Sequence, residues 1–148
     1  MQIREITGND RQTYMDLTGE FYASPAVLRQ IPESYREATF EELLREDGTA
    51  RGLLFFKEGA PAGYALFNRA FSQEAGGKVL WIEELYVRPR FQGGGMGSEF
   101  FEYLFENLPK DVKRVRLEVE AENEKARALY ARLGFEELPY LQMVRDYE

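Results

Sequence analysis

The sequence predicts an α/β domain in which a mixed sheet carries helices on its faces. Three observations support this. Strand-like apolar runs before Arg88 follow one another across short turns. A glycine-rich loop, Gln92-Gly93-Gly94-Gly95-Met96-Gly97, joins one such run to an amphipathic helix. A further alternating run and a second amphipathic helix come after it, so one strand returns parallel to the run before the loop.

Gln2 to Ile6 alternates as a short strand, and Asn9 or Asp10 caps a helix with Tyr14, Leu17, Phe21 and Tyr22 on one side. That helix ends near Ser24-Pro25. Ala26 to Tyr35 reads as irregular, with Pro32 as a breaker, and Thr39 with Glu42 reads as a capping box opening a helix through Leu43 and Leu44. Arg51 to Lys57 and Ala62 to Phe67 are strands joined across Glu58-Gly59-Ala60-Pro61. Val79 to Val87 follows the Gly76-Gly77 turn and completes an antiparallel meander. The helix after the glycine loop places Met96, Phe100, Phe101, Leu104 and Phe105 on one face and stops before Pro109, while Glu99, Glu102 and Glu106 face water. Val115, Leu117 and Val119 alternate with Arg116, Glu118 and Glu120 as the returning strand. Asn123 caps the last helix, whose apolar stripe is Ala126, Leu129, Tyr130 and Leu133, with Gly134 just past its end. A closing strand is expected from about Leu141 to Tyr147.

With 148 residues, 44% of them hydrophobic, the chain is expected to fold as one domain over residues 1–148; no linker or low-complexity tract divides it. A formal charge of −7 argues against a nucleic-acid binder and favours cationic partners. No apolar run reaches membrane-span length and Met1-Gln2-Ile3-Arg4-Glu5 lacks a leader's apolar region, so a cytoplasmic protein with no membrane partner is expected. The chain has no Cys and no His. That removes disulfides, thiol nucleophiles, Ser-His triads and the usual zinc sites, and leaves Glu, Asp, Tyr or Lys to move protons. Without an Asp-x-Asp-x-Asp-Gly spacing, no metal is expected.

The glycine loop suits an anion. Glycines let the backbone approach a ligand closely, and the first N–H groups of the following helix point at negative charge. A phosphate-binding P-loop needs Gly-Lys-Ser/Thr, which is missing. The dinucleotide pattern fails at its third glycine, replaced by Ser98; Glu120 lies where a ribose-binding acid would stand, but three meandering strands precede the loop, whereas a dinucleotide domain carries its fingerprint on its first strand.

Gln92-x-x-Gly95-x-Gly97 after Glu84-Leu85-Tyr86-Val87, followed by Asn123-x-x-Ala126-x-x-Leu129-Tyr130-x-x-x-Gly134-Phe135, resembles the Gcn5-related N-acetyltransferase (GNAT) superfamily, with local similarity to diamine and polyamine acetyltransferases. The resemblance implies a mostly antiparallel sheet of roughly six to seven strands with a splayed parallel pair at the cofactor site. It implies acetyl-CoA as donor, with its pyrophosphate on the N–H groups of Gln92, Gly93, Gly94, Gly95, Met96, Gly97 and Ser98. The pantetheine would lie along Leu85, Tyr86 and Val87 as an added strand, and Asn123 would complete the clamp. A plain helix cap is an equal reading of Asn123. Many relatives carry Arg or Lys between the loop glycines. Gly93 and Gly94 bring none, so Arg88, Arg90, Lys125 or Arg127 are candidates to attract phosphate.

The same resemblance makes Tyr130 the acid that protonates the CoA thiolate, although its spacing alone fits a core stripe. Glu83 and Glu84 are out of place at the end of an apolar strand unless they face a wet cleft, and alternation would point them to opposite faces. Likeness to diamine acetyltransferases favours Glu83 as base, with Glu84 close behind. Glu118 reads as part of a solvated charged face. Tyr22 and Tyr35 are candidates to line the acceptor pocket, together with Glu83 and Glu84. The expected reaction is acetyl transfer to a small-molecule amine, cationic or polyamine-like. Acetylation of a protein N-terminus or lysine and a catalytically silent acyl-CoA sensor are the alternatives. A homodimer is compatible with the family.

Overall fold

A computed structural model describes residues 1–147 and resolves two compact units, Met1–Leu117 and a second from Glu118 onward. The first holds a five-stranded sheet: β1 (Gln2–Glu5), β2 (Ala50–Lys57), β3 (Ala60–Ser72), β4 (Gly77–Val87) and β5 (Val112–Leu117), in that spatial order. β1 to β4 pair antiparallel and β5 pairs parallel to β4, as expected for a strand that returns through a helix.

Helices α1 (Arg11–Ala23) and α2 (Glu33–Leu43) precede β2, and α3 (Met96–Glu106) links β4 to β5. Tyr14, Leu17, Phe40 and Leu43 pack with Leu54, Tyr64, Leu66 and Tyr86 in one cluster. Phe100 of α3 meets Phe55 and Phe67 of the sheet, with ring centroids 5.3 and 6.0 Å away. Each helix thus buries an apolar stripe against strands that are themselves almost wholly apolar from Leu53 to Phe55 and from Ala62 to Phe67.

Pro32, expected to keep the chain irregular, instead stands as the N-cap of α2, where its fixed φ and missing N–H cost nothing. Thr39 therefore lies inside the helix, its hydroxyl donating to the Tyr35 carbonyl at 2.8 Å. The β2–β3 turn is tighter than expected. Lys57 opposes Ala60, and Glu58 and Gly59 take φ of 52° and 80°, a two-residue turn whose twist matches the strands. Close to this turn, β3 and β4 approach so tightly at Gly63 that an added Cβ would sit 2.1 Å from the Tyr86 carbonyl oxygen.

The predicted sixth strand is a correction: among the described residues the sheet has five, and Leu141 to Tyr147 carries no ladder. A strand is defined by partners, and the alternation of this segment specifies a face without supplying one. The expected strand around Val115 to Glu120 begins earlier and stops at Leu117. Its partner β4 leaves register after Ile82, so Val119 has no β4 residue to oppose it. The second unit contains α4 (Glu124–Arg132), which closes with Gly134 at φ 91° and the Phe135 N–H on the Tyr130 carbonyl at 2.9 Å.

The entry to α1 is fixed by Asp10. Arg4 grips its carboxylate with two bonds of 2.8 Å and the Thr7 N–H adds a third at 2.7 Å. The Arg4 guanidinium and these donors pull the Asp10 carboxyl down to about 2. A lowered carboxyl pKa stabilises the fold above the unfolded value and loses that contribution as pH falls through the folded one. Because Arg4 is partly exposed, the contribution is discounted to roughly 1–2 kcal/mol. Asp10→Asn should lower the unfolding free energy by about that amount at neutral pH, with the difference from wild type vanishing between about pH 4 and about pH 2. Urea titrations across that range measure it.

Candidate active site

β4 carries the centre of the site in the first unit. Leu66 of β3 opposes Glu84 while the next residue, Phe67, opposes Ile82, so Glu83 is an extra residue in a β-bulge. The bulge re-aims the chain. Glu83 and Glu84, which simple alternation sends to opposite faces, both line one cleft of about 390 Å³, walled by Ala38, Thr39 and Glu42 of α2 and by Leu66 and Asn68 of β3.

Pairing between β4 and β5 ends at Ile82 and Leu117, whereas β4 runs on to Val87 against β3. The Arg88 N–H donates to the Ala62 carbonyl on the β3 side at 2.8 Å. Main-chain groups alternate sides along a strand, so Leu85 and Val87 present theirs on the opposite edge, away from β3. Gln92 reaches back to that edge, its side-chain amide donating to the Val87 carbonyl at 2.8 Å. Tyr86, between them, turns inward; its ring is buried and its hydroxyl bonds Glu20 at 3.2 Å.

Beyond β4, a turn at Pro89–Phe91 leads into the glycine loop. Gly93 and Gly95 take φ of 80° and 83°, which only glycine adopts without strain, and Gly95 caps α3. The first helical bond runs from the Glu99 N–H to the Gly95 carbonyl at 3.0 Å, so the N–H groups of Met96, Gly97 and Ser98 lie ahead of the ladder. Gly97 is informative. Its φ is ordinary and an added Cβ would meet nothing within 4 Å, so neither backbone nor packing calls for glycine inside a helix, where it costs about 0.5–1 kcal/mol relative to Ala. A run of N–H groups ahead of the helical ladder, with no side chain at Gly97 to stand over it, fits a pyrophosphate.

Glu84 is the strongly held carboxylate. The Tyr64 hydroxyl donates to its Oε1 at 2.7 Å and the Tyr22 hydroxyl to its Oε2. Burial raises the Glu84 pKa, and the two phenols oppose that shift by stabilising the anion. Tyr22 stands at the end of α1, where the Phe21 ring meets it edge-on with centroids 5.1 Å apart. Burial raises the Tyr22 and Tyr64 phenol pKa values, and the neighbouring carboxylate adds to this, so both act as donors. Tyr35 does not join them; it sits on α2 with 60% of its surface exposed and is absent from the cleft wall.

In the second unit, the Asn123 side-chain oxygen accepts from the Ala126 N–H at 3.2 Å, so Asn123 caps α4. Tyr130 is partly buried, with its ring 5.8 Å from Phe135 in an edge-on arrangement, and burial raises its phenol pKa. Among the cations expected near phosphate, Arg88 is committed to Glu20 and the Pro61 carbonyl, Arg90 lies over the Phe91 ring, and Arg127 binds the Ala121 carbonyl and Glu137.

Two residues of interest escaped sequence reasoning. Tyr64 was hidden in an apolar core strand, although a hydroxyl in such a run signals a buried partner. Lys57 carries no sequence signal; its position beside the loop is purely tertiary, with a Cβ built at Gly94 lying 4.0 Å from its ammonium.

An antiparallel meander with a bulged β4, a parallel β5 and a glycine-capped helix between them defines an α/β fold with a mixed sheet. The chain belongs to the acetyltransferase (GNAT) family, whose model matches residues 13–135. It is 31% identical to the thialysine N-epsilon-acetyltransferase of Mus musculus over 93% of this chain and 85% of that protein. It is 27% identical to the spermine/spermidine N(1)-acetyltransferase of Bacillus subtilis over 92% and 88%. The Bos taurus and Sus scrofa thialysine N-epsilon-acetyltransferases are matched over only 45% and 65% of their length. In fold, a possible acetyltransferase of Clostridium difficile superimposes with a TM-score of 0.83 at 19% identity, covering 99% of this chain and 97% of that one.

Tyr22→Phe should raise the Glu84 pKa further, because it removes a donor to the anion and leaves burial in place. A carbon-13 titration of the Glu84 carboxyl checks this; an unmoved or lowered midpoint would contradict the cage.

Proposed function

We propose that the chain transfers an acetyl group from acetyl-CoA to a primary amine on a small cationic molecule such as a polyamine. One observation carries the reading: the bulge at Glu83 gives β4 both an open main-chain edge and a carboxylate-lined cleft. The edge can pair with the amides of a pantetheine arm, and the cleft attracts an ammonium. Family membership and the polyamine-acetylating relative from Bacillus subtilis support the reaction and the acceptor class.

Acetyl-CoA supplies an activated acyl group as a thioester. The N–H groups of Met96, Gly97 and Ser98 hold its pyrophosphate, and the main chain of Leu85 and Val87 aligns its arm. Glu84 accepts the proton that the substrate ammonium must lose, using lone pairs that its two phenol partners leave open. Burial raises its pKa and so makes it a stronger proton acceptor than an exposed carboxylate. This reverses the order favoured by the family resemblance. Glu83, exposed on the bulge, contributes negative charge to the cleft mouth. Tyr130 gives the proton that the departing sulfur needs, and its raised pKa keeps the phenol protonated until then. The chain acts as a single acetyltransferase domain, in line with a family match over residues 13–135.

Thermal unfolding with acetyl-CoA, CoA, NAD⁺ and ATP side by side tests the donor. Acetyl-CoA and CoA should stabilise selectively, by about 2.7 kcal/mol at a hundredfold excess over Kd. Gly97→Ala should unfold no earlier than wild type yet lose most of that gain. Stabilisation by NAD⁺ alone would sink the proposal.

Glu84→Gln should cut amine-dependent CoA release by about 10²-fold or more. Tyr130→Phe should lower kcat more than it lowers acetyl-CoA affinity. Tight acetyl-CoA binding with no release across a panel of polyamines, lysine peptides and aminoglycosides would instead mark a silent acyl-CoA sensor.

A further inference from the structure

We propose that Lys57 is a further binding residue for the donor, its ammonium neutralising the pyrophosphate seated on the glycine loop. The inference rests on the reading of that loop as a pyrophosphate site.

The loop itself offers only partial charges. The N-terminus of α3 is worth about half an elementary charge, and Gly93, Gly94 and Gly95 bring no cation of their own. A protein of net charge −7 also repels a polyanionic ligand at long range, so a local cation is needed to hold it. Of the arginines nearest in sequence, Arg88 is engaged by Glu20 at 3.0 and 2.8 Å, while Arg90 is exposed with its guanidinium over the Phe91 ring at 4.6 Å.

Lys57 arrives from another direction. It is the last residue of β2, exposed, and its ammonium lies 4.0 Å from where a Cβ at Gly94 would be. Its backbone is anchored, because it opposes Ala60 across the two-residue turn formed by Glu58 and Gly59. The absence of a side chain at Gly94 leaves the ammonium against bare backbone, where both can face the same anion. Lys is suited to this place as a compact charge that follows a phosphate without demanding bidentate geometry.

Isothermal titration of wild type, Lys57→Gln and Lys57→Arg with CoA and with 3′-dephospho-CoA provides the test. Lys57→Gln should weaken both ligands by about tenfold and flatten the salt dependence of binding, while Lys57→Arg keeps most of the affinity. An unchanged ligand-free unfolding temperature will show that the variant folds. Equal affinity of Lys57→Gln and wild type for CoA would overturn the inference. So would a loss confined to CoA and absent for 3′-dephospho-CoA, which would assign the ammonium to the 3′-phosphate. Wild type that binds neither ligand removes the loop reading, and this inference with it; wild-type binding with an indifferent Lys57→Gln removes only the inference.

Discussion

Between Ile82 and Glu84, β4 carries one residue more than β3 opposes, and the surrounding geometry depends on that mismatch. A bulge increases twist and bends the strand that holds it. β4 therefore parts from β5 just where the bulge falls, leaving the main chain of Leu85 and Val87 without a β5 partner. In a continuous sheet those groups would be consumed by the ladder. The same kink sends two consecutive carboxylates into one cleft, so the open edge and the charge of the cleft have a common origin.

Holding a carboxylate at that kink needs compensation, since desolvation disfavours the anion. Tyr64 from β3 and Tyr22 from α1 supply it with one hydrogen bond to each oxygen of Glu84. Phe21, Tyr14 and Tyr86 in turn pack around Tyr64, with centroids 6.0 to 6.2 Å away. The aromatic cluster is thus both core and support: its rings close the α1 face of the sheet and its hydroxyls fix the charge. Removing a ring there would disturb packing as well as chemistry, whereas removing one hydroxyl leaves the packing and takes a donor from the Glu84 carboxylate.

Charge follows a similar division. The chain is acidic overall, which suits a cationic acceptor and opposes an anionic donor. In the proposed reading, backbone N–H groups at α3 answer part of the second problem without side chains. The proposed role of Lys57 adds a mobile cation that reaches the same spot from a different strand. Glycine serves twice here, through positive φ at Gly93 and Gly95 and through the room left at Gly97.

Much of this was legible in the chain. The apolar runs, their turn residues and the helical stripes specified the meander, α3 and α4, because side-chain periodicity is a local property. The glycine loop and its cap were readable because positive φ and helix starts have residue signatures. The start of α2 was not, since Pro32 reads both as breaker and as first-turn residue. Nor was the bulge, which depends on how β4 counts against a neighbour distant in sequence. Local pattern was enough for most element types, the glycine loop and the supply of acidic and phenolic groups. Packing and register settled that Glu83 and Glu84 share a cleft, that Tyr22 and Tyr64 hold Glu84, that β5 stops at Leu117 and that Lys57 lies beside Gly94. Each of these is a matter of register or contact between strands and helices far apart in the chain, which no local pattern encodes.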